Sequence, residues 1–468
     1  MNSRRFSSSC YLLALVALIA KPSVVTAAAA DSGKLRAGAA RVEITSLVKA
    51  DLPATGKYEQ EKIYARAIVF DNGVTRAALL AADTSDMYTA VWQQASAKIA
   101  AELNCPVENI IMSATHSHSV GSPMGPAAAE QSEYMAGLTD AFVEAVRQAK
   151  ANLQPALIGY GTGAAYLNVN RDAVSPETHL WSQAPNLKAY SDKTVYVVKL
   201  VKPTGELIAA YVNYAMHPID AYLLGFITAD APGAMCRYVE QAFGDKAVVI
   251  FTQGASGDQN PLYLRPSTNG LASMGGIPIT GYALVREPVE EPVRDKKVEV
   301  KPIDPAVRDR LERFIEGEGA VLGEEVIRVM TGTTQTAGDL RIWGAQKAVS
   351  CPGRKRTDSG REGMTGSYSD SDPVEMRLSL VGLGNIALAG VNAEVYSRIS
   401  QRMRSQSPLA NTVMVTLANG RANSGYIPDD ESYGHKTFQV LGARNKEGCA
   451  EDAIANGLTE MIGQYMNR

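Results

Sequence analysis

The chain of 468 residues is 46% hydrophobic and 20% charged, ordinary proportions for a packed globular protein and far from those of a disordered, collagenous or polytopic membrane chain. Lys and Arg number 46 against 49 Asp and Glu, a net charge of -3, so no basic excess points to nucleic acid as a partner. Only five histidines occur, and two of them, His116 and His118, stand one residue apart.

The chain opens with Arg4 and Arg5, then an apolar run from Cys10 to Ala20, then small residues around Ala27. This is the pattern of a cleaved secretory signal, its apolar run too short to span a bilayer; an uncleaved anchor is the competing reading. We therefore expect residues 1–30 to be a signal peptide and residues 31–468 to be one large catalytic domain, secreted or periplasmic. Beyond Cys10, the cysteines are Cys105, Cys236, Cys351 and Cys449. They allow up to two disulfides in any of three pairings, or stay buried thiols; no CxxC spacing offers a cysteine metal site.

Three segments share a strand, turn, strand pattern: Arg66 to Asp83, Val195 to His217 and Met376 to Glu394. Their turns fall at Asp71-Asn72-Gly73, Pro203-Thr204-Gly205 and Gly382 to Asn385, which are hairpin signals. Asn109 to Thr115, Ala247 to Thr252 and Thr412 to Leu417 read as single buried strands that end in small-residue loops. Helices are expected over Val91 to Leu103, Tyr134 to Asn152, Ala231 to Phe243, Pro305 to Met330, Val395 to Ser405 and Cys449 to Met466. Strands and helices interleave throughout, so the predicted fold is α/β, with layered mixed β-sheets flanked by helices. Pro266 to Val300 and Ser350 to Asp372 are polar or rich in Gly and Pro and read as long surface loops, either solvated or gating a site.

The candidate chemistry sits where strands end, the usual place for a site in an α/β sheet. Thr115-His116-Ser117-His118-Ser119 follows the first buried strand. In extended chain its two histidines share a face, as metal ligands or as hydrogen-bonded core residues. His217 ends the second hairpin and is either a structural histidine or a partner for His116. Glu394 ends the third hairpin and reads alone as a helix-start acid. Tyr426 lies in a Gly/Asn-rich loop and reads alone as a packing aromatic. The loop Thr252 to Pro261, with Ser256, Asp258 and Asn260, is either a tight turn or a source of backbone N–H groups for an oxyanion. His179 and His435 receive no role.

Taken in order, these pieces resemble the neutral/alkaline non-lysosomal ceramidase family of zinc-dependent amidases, from Leu35 to Ile462. The resemblance rests on the stretch Arg36 to Thr45, on THSHS at 115–119, Asn170-Arg171, the His217 strand, GDQNP at 257–261, the Glu394 segment and SGYIP at 424–428. It implies that His116 and His217 are zinc-binding histidines, with Glu394 and Tyr426 as the carboxylate and phenolic ligands. It implies that His118 meets the substrate and the developing oxyanion, that Tyr426 assists it, that Arg171 contacts substrate, and that Asp258 is the aspartate of the Gly-Asp loop. Asn260 stands where the family carries a serine, which favours attack by zinc-bound water over a covalent serine route.

The implied activity is hydrolysis of an amide bond in an N-acyl lipid or related amide, with Zn2+ as cofactor, no nucleic-acid partner and peripheral contact with a membrane. Asp83 is expected to orient a ligand histidine. The family's C-terminal β-sandwich domain has no counterpart before Arg468. Two other readings compete: a catalytically silent binding protein that keeps the fold, and a metal-free serine hydrolase using Ser256, which lacks a Gly-x-Ser-x-Gly elbow.

Overall fold

A computed structural model describes residues 32–48, 62–120, 128–221, 227–263, 305–334 and 338–468. The expected signal peptide and the expected loop from Pro266 to Val300 lie outside these residues. Asp31–Arg468 forms one compact unit. None of its described helices is long and apolar enough to cross a membrane.

The first part of the chain gives strands β1 (Ser32–Lys34), β2 (Arg36–Glu43), β3 (Tyr64–Asp71) and β4 (Arg76–Ala82), helix α1 (Thr89–Leu103), strand β5 (Ile110–Ala114), helix α2 (Ala128–Ala151) and the short β6 (Gln154–Pro155). The middle gives β7 (Leu157–Ala164), β8 (Asn168–Val174), β9 (Trp181–Asn186), β10 (Thr194–Val201), β11 (Leu207–Tyr214), α3 (Asp230–Ala242), β12 (Val248–Gln253) and β13 (Gln259–Pro261). The last part gives α4 (Pro305–Gly332), β14 (Asp339–Arg356), β15 (Tyr368–Leu383), β16 (Ile386–Val391), β17 (Glu394–Val395), α5 (Ser397–Gln406), β18 (Asn411–Val415), β19 (Tyr426–Ile427), α6 (Phe438–Gly442) and α7 (Ala450–Met466).

The strands form three larger sheets, ordered β5-β4-β3-β2-β6, β12-β11-β10-β7 and β1-β14-β15-β16-β18. Each holds the same unit. An antiparallel hairpin (β3/β4, β10/β11, β15/β16) is followed by a crossover containing a helix (α1, α3, α5). A strand parallel to the hairpin's second arm then follows (β5, β12, β18). These are the three hairpins and three buried strands expected from the sequence, and the α/β class with mixed sheets is as predicted.

Alternation along the strands sets the layering. In β3, Ile68 and Phe70 face a core shared with Tyr211 and Ile250 of the second sheet and Leu388 and Val413 of the third. Ala67 and Val69 face the other way, onto Val91 of α1 and Phe142 of α2. The second sheet packs its outer face on Met235 of α3 and Val326 of α4, and the third on Ile399 of α5 and Leu458 of α7. Three sheets thus meet around one apolar centre, each backed by helices.

The segment Ser350 to Asp372 corrects the sequence reading. It is largely a paired ribbon, with Gly353 opposite Ser371 and Arg356 opposite Tyr368, and only 357–367 lies outside the strands. Its polar side chains signal exposure, whereas its backbone groups are paired across the ribbon. Of the open cysteine pairings, Cys351–Cys449 forms, while Cys105 and Cys236 are free. The bond staples the ribbon to the start of α7 across a separation of 98 residues. The C351S/C449S double variant should lose about 2–5 kcal/mol of stability in denaturant unfolding; an unchanged midpoint would show the staple idle.

A second buried feature lies between α3 and α4. Asp220, Asp230 and Glu318 are at most 4% exposed. Burial, and for Asp220 the neighbouring Glu318 as well, pushes the Asp220 carboxyl well above its ordinary range. Burial lifts Glu318 from 4.5 to about 8. A folded-state value above the unfolded one means the native state holds an extra proton, so stability is lost as pH rises from about 4.5 to about 8. Glu318→Gln should flatten this dependence and raise stability at pH 8 relative to pH 5, measured by unfolding at both.

Candidate active site

The site lies at the carboxyl ends of the parallel strands, where all three sheets deliver a loop. Beyond β5 the chain stays tied to the end of β4, with Thr115 N–H donating to the Ala82 carbonyl at 2.9 Å and His116 N–H to Thr84 at 2.9 Å. His116 then turns into the left-handed region at φ 67°, a costly conformation for a residue with a Cβ. The two histidines therefore do not converge through strand alternation, as the sequence suggests. This turn brings their rings to 4.6 Å between centroids.

Three histidine rings meet there. His116 Nε2 lies 3.2 Å from His217 Nε2 and 3.2 Å from His118 Nε2. Glu394 Oε2 lies 3.1 Å from both His116 Nε2 and His217 Nε2. The opposite nitrogens of two rings face backbone carbonyls: His116 Nδ1 is 2.5 Å from the Ser85 oxygen and His217 Nδ1 is 3.1 Å from the Gln259 oxygen. A carbonyl only accepts, so each Nδ1 carries hydrogen and each Nε2 points a lone pair inward.

The electrostatics follow from this convergence. Burial pushes the Glu394 carboxyl up, but the neighbouring imidazoles, His116 first and then His217, hold it well below the usual range. Burial depresses His217 to about 3, with the Arg171 guanidinium adding to the effect. Burial and the two other histidines hold His118 well below its ordinary value. Against its own burial, Glu394 raises His116. A buried set of nitrogen and oxygen donors that face one another is what a small cation would satisfy, and among the described residues His116, His118 and His217 form the one such histidine group.

Tyr426 joins the site through backbone register, since β17 and β19 pair with Glu394 opposite Tyr426. Its ring lies 6.4 Å from that of His217, and burial pushes its hydroxyl upward, with Glu394 adding to the effect. Arg171 is buried on β8. Its Nη2 lies 3.5 Å from His217 Nε2, its Nη1 donates to Asn260 Oδ1 at 3.2 Å, and its Nη2 donates to the Gly257 carbonyl at 2.6 Å. Asn260 thus meets the site through Arg171. The Asp258 carboxylate is engaged elsewhere, accepting from Ser397 N–H and Oγ at 2.8 Å each and from Asn170 Nδ2 at 2.9 Å. Its backbone carbonyl accepts from Arg171 N–H at 2.9 Å, so it positions the strand that carries Arg171. Gly257 makes room for this packing: a Cβ there would lie 2.9 Å from both the Glu394 carbonyl and the Tyr396 ring.

Asp83 does not orient a histidine. It accepts from Arg66 Nη1 at 2.8 Å and from Tyr64 N–H at 2.8 Å, and the Ser85 carbonyl takes the expected role. Ser256 is 1% exposed and its carbonyl caps the turn to Gln259. The sequence reading also missed Gln253. At the end of β12, its Nε2 donates to the Thr115 carbonyl at 2.9 Å and the Met216 carbonyl at 2.8 Å, the residues just before His116 and His217. Its place at the end of a buried strand was the one available sign. Gln253→Leu strands both buried carbonyls, so a loss of about 1–3 kcal/mol in denaturant unfolding is expected; an unchanged stability would deny it this clamping role.

Residues 41–270 match the family described as neutral/alkaline non-lysosomal ceramidase, N-terminal. Among solved structures, the chain is similar to the neutral ceramidase from Pseudomonas aeruginosa, with a TM-score of 0.65 and 15% identity over 93% of this chain and 75% of that one. It is likewise similar to a ceramidase complexed with C2, with a TM-score of 0.65 and 16% identity over 93% of this chain and 76% of that one. No curated protein matches the chain. The fold and the matched segment define a hydrolase. Residues 41–270 carry the match to the neutral/alkaline ceramidase family, and the likeness in fold extends over 93% of the chain.

Proposed function

We propose that this chain is an exported, zinc-dependent amidase that hydrolyses the amide bond of an N-acyl lipid of the ceramide kind, with residues 31–468 as one catalytic domain. One observation carries the reading: two lone pairs, fixed inward by carbonyls on the far side of their rings, share a buried point with a carboxylate oxygen at 3.1–3.2 Å. His116, His217 and Glu394 would hold the zinc, with Tyr426 beside Glu394 as the fourth donor. When bound, Zn2+ supplies Lewis acidity toward a carbonyl oxygen and a nucleophilic water at neutral pH.

The chain's own residues account for the rest. His118, held neutral by burial and its neighbours, is the group to hand a proton toward the leaving nitrogen or to hydrogen-bond the developing oxyanion. Arg171 holds Asn260 and brings a buried positive charge beside His217. An N-acyl lipid suits the exposed apolar residues of this side of the molecule, Leu180 at 41% and Phe438 at 38%, and these favour work at a lipid surface. A three-histidine set that includes His118 is the other way to bind a metal here.

Hydrolysis of N-acyl amides, ceramides included, measured with and without a chelator, tests the activity. His116→Ala and Glu394→Ala should lose zinc as well as turnover, whereas His118→Ala should keep zinc and lose about 10²–10⁴-fold in kcat. A His116→Ala protein with full zinc and full activity would sink the proposal, and zinc loss in His118→Ala would transfer the ligand role to the three histidines.

A further inference from the structure

A second group of buried donors takes no part in that chemistry. Asp220, just past His217, is buried with Asp230 at the start of α3 and Glu318 in α4. Asp220 is within hydrogen-bond reach of both of the others. Both carboxylate oxygens of Asp220 and both of Glu318 lack a hydrogen-bond donor among the described residues. Asp230 is better served: its Oδ2 accepts from Ala221 N–H at 3.1 Å and its Oδ1 from Ala231 N–H at 2.8 Å. The surroundings are apolar and tight. Ala221, Ala234 and Ile315 pack together, and α4 lies so near α3 that a Cβ on Gly319 would come within 2.4 Å of that of Ala234.

Carboxylates that face one another away from water need positive charge among them. Protons are one source, and the upward shifts of Asp220 and Glu318 express it. A divalent cation is a fuller one, because it draws on several oxygens at once, whereas a proton links a single pair. Every donor here is a carboxylate oxygen, the preference of a hard ion such as Ca2+ or Mg2+. The set around His116 offers imidazole nitrogen instead and suits a different metal.

The cluster is also wired to the histidine loops. Asp230 N–H donates to Thr228 Oγ1 at 3.0 Å. Thr228 N–H donates to the Ser119 carbonyl at 2.9 Å, and the Thr228 carbonyl accepts from Ser117 Oγ at 2.9 Å. His118 N–H donates to the carbonyl of Pro218, two residues before Asp220, at 3.2 Å. What holds Asp220 and Asp230 in place therefore also steadies the loop of His116 and His118 and the chain leaving His217.

We propose that Asp220, Asp230 and Glu318 form a second cation site, separate from the histidine centre, which takes a hard divalent cation and pins the loops of His118 and His217. The proposal stands independently of the amidase reading.

The test follows thermal unfolding and calorimetric binding of the whole protein, freed of calcium and magnesium by chelation and dialysis, as Ca2+ or Mg2+ alone is added. At pH 8 one of the two ions should bind at one per chain and raise the Tm by about 2 °C or more. At pH 5.5 protons compete for the same oxygens, so the apparent affinity should be at least about tenfold weaker. Asp220→Asn and Glu318→Gln should each abolish the binding and the Tm shift, whereas His116→Ala should keep both. Should Asp220→Asn not fold, Glu318→Gln alone decides. The absence of binding and of a Tm shift at pH 8 with either ion would leave shared protons as the whole account and overturn the proposal. So would a shift that persists in Glu318→Gln or disappears in His116→Ala.

Discussion

Two buried imidazoles and a carboxylate aim their lone pairs at one point, and much of the architecture serves to keep them there. Such an arrangement is costly without a positive charge, because donors taken out of water repel one another across a few ångströms. It persists only if the rings cannot turn. The Ser85 and Gln259 carbonyls prevent that by holding the far nitrogen of each ring, and Gln253 in turn clamps the peptide carbonyls just before His116 and His217. The left-handed backbone of His116 is a local strain that this scaffold supports.

The three sheets explain why these groups meet at all. Each repeats a hairpin, a crossover helix and a parallel strand, and each releases its chain at the same end. The first gives Ser85, His116 and His118, the second gives His217 and the loop with Asp258, and the third gives Glu394 and leads on to Tyr426. Packing the inner faces around a single apolar core forces the three loop ends together, so the histidine cluster is a by-product of how the hydrophobic layers close. Asp258 belongs to the same logic: its carboxylate ties the β12 loop to the start of α5, and its backbone steadies Arg171.

Much of this was legible in the sequence because alternation and turn residues are local signals. The hairpins, the buried strands and their polar ends could all be read residue by residue, and so could the scarcity of histidines. What escaped was carried by the backbone or by distance. The Ser85 carbonyl leaves no mark in a sequence, since any residue has one. Asp83 looked like an orienting acid because it ends a hairpin, but Arg66 on the neighbouring strand claims it. The ribbon around Cys351 was mistaken for a loop because its side chains are polar on both faces, and polarity reports exposure, whereas strand pairing is decided by backbone partners far along the chain.

The separation of the donors in sequence has its own consequence. His116 and His217 are 101 residues apart, and Glu394 follows His217 by 177. No fragment that lacks one of the three sheets holds the full set, and as the chain emerges during synthesis the last donor arrives after most of the protein has been made. Loop-closure entropy over such spans is repaid only when the common core condenses. The centre is therefore a late product of folding, complete only when the molecule is, and a partly folded chain does not hold it.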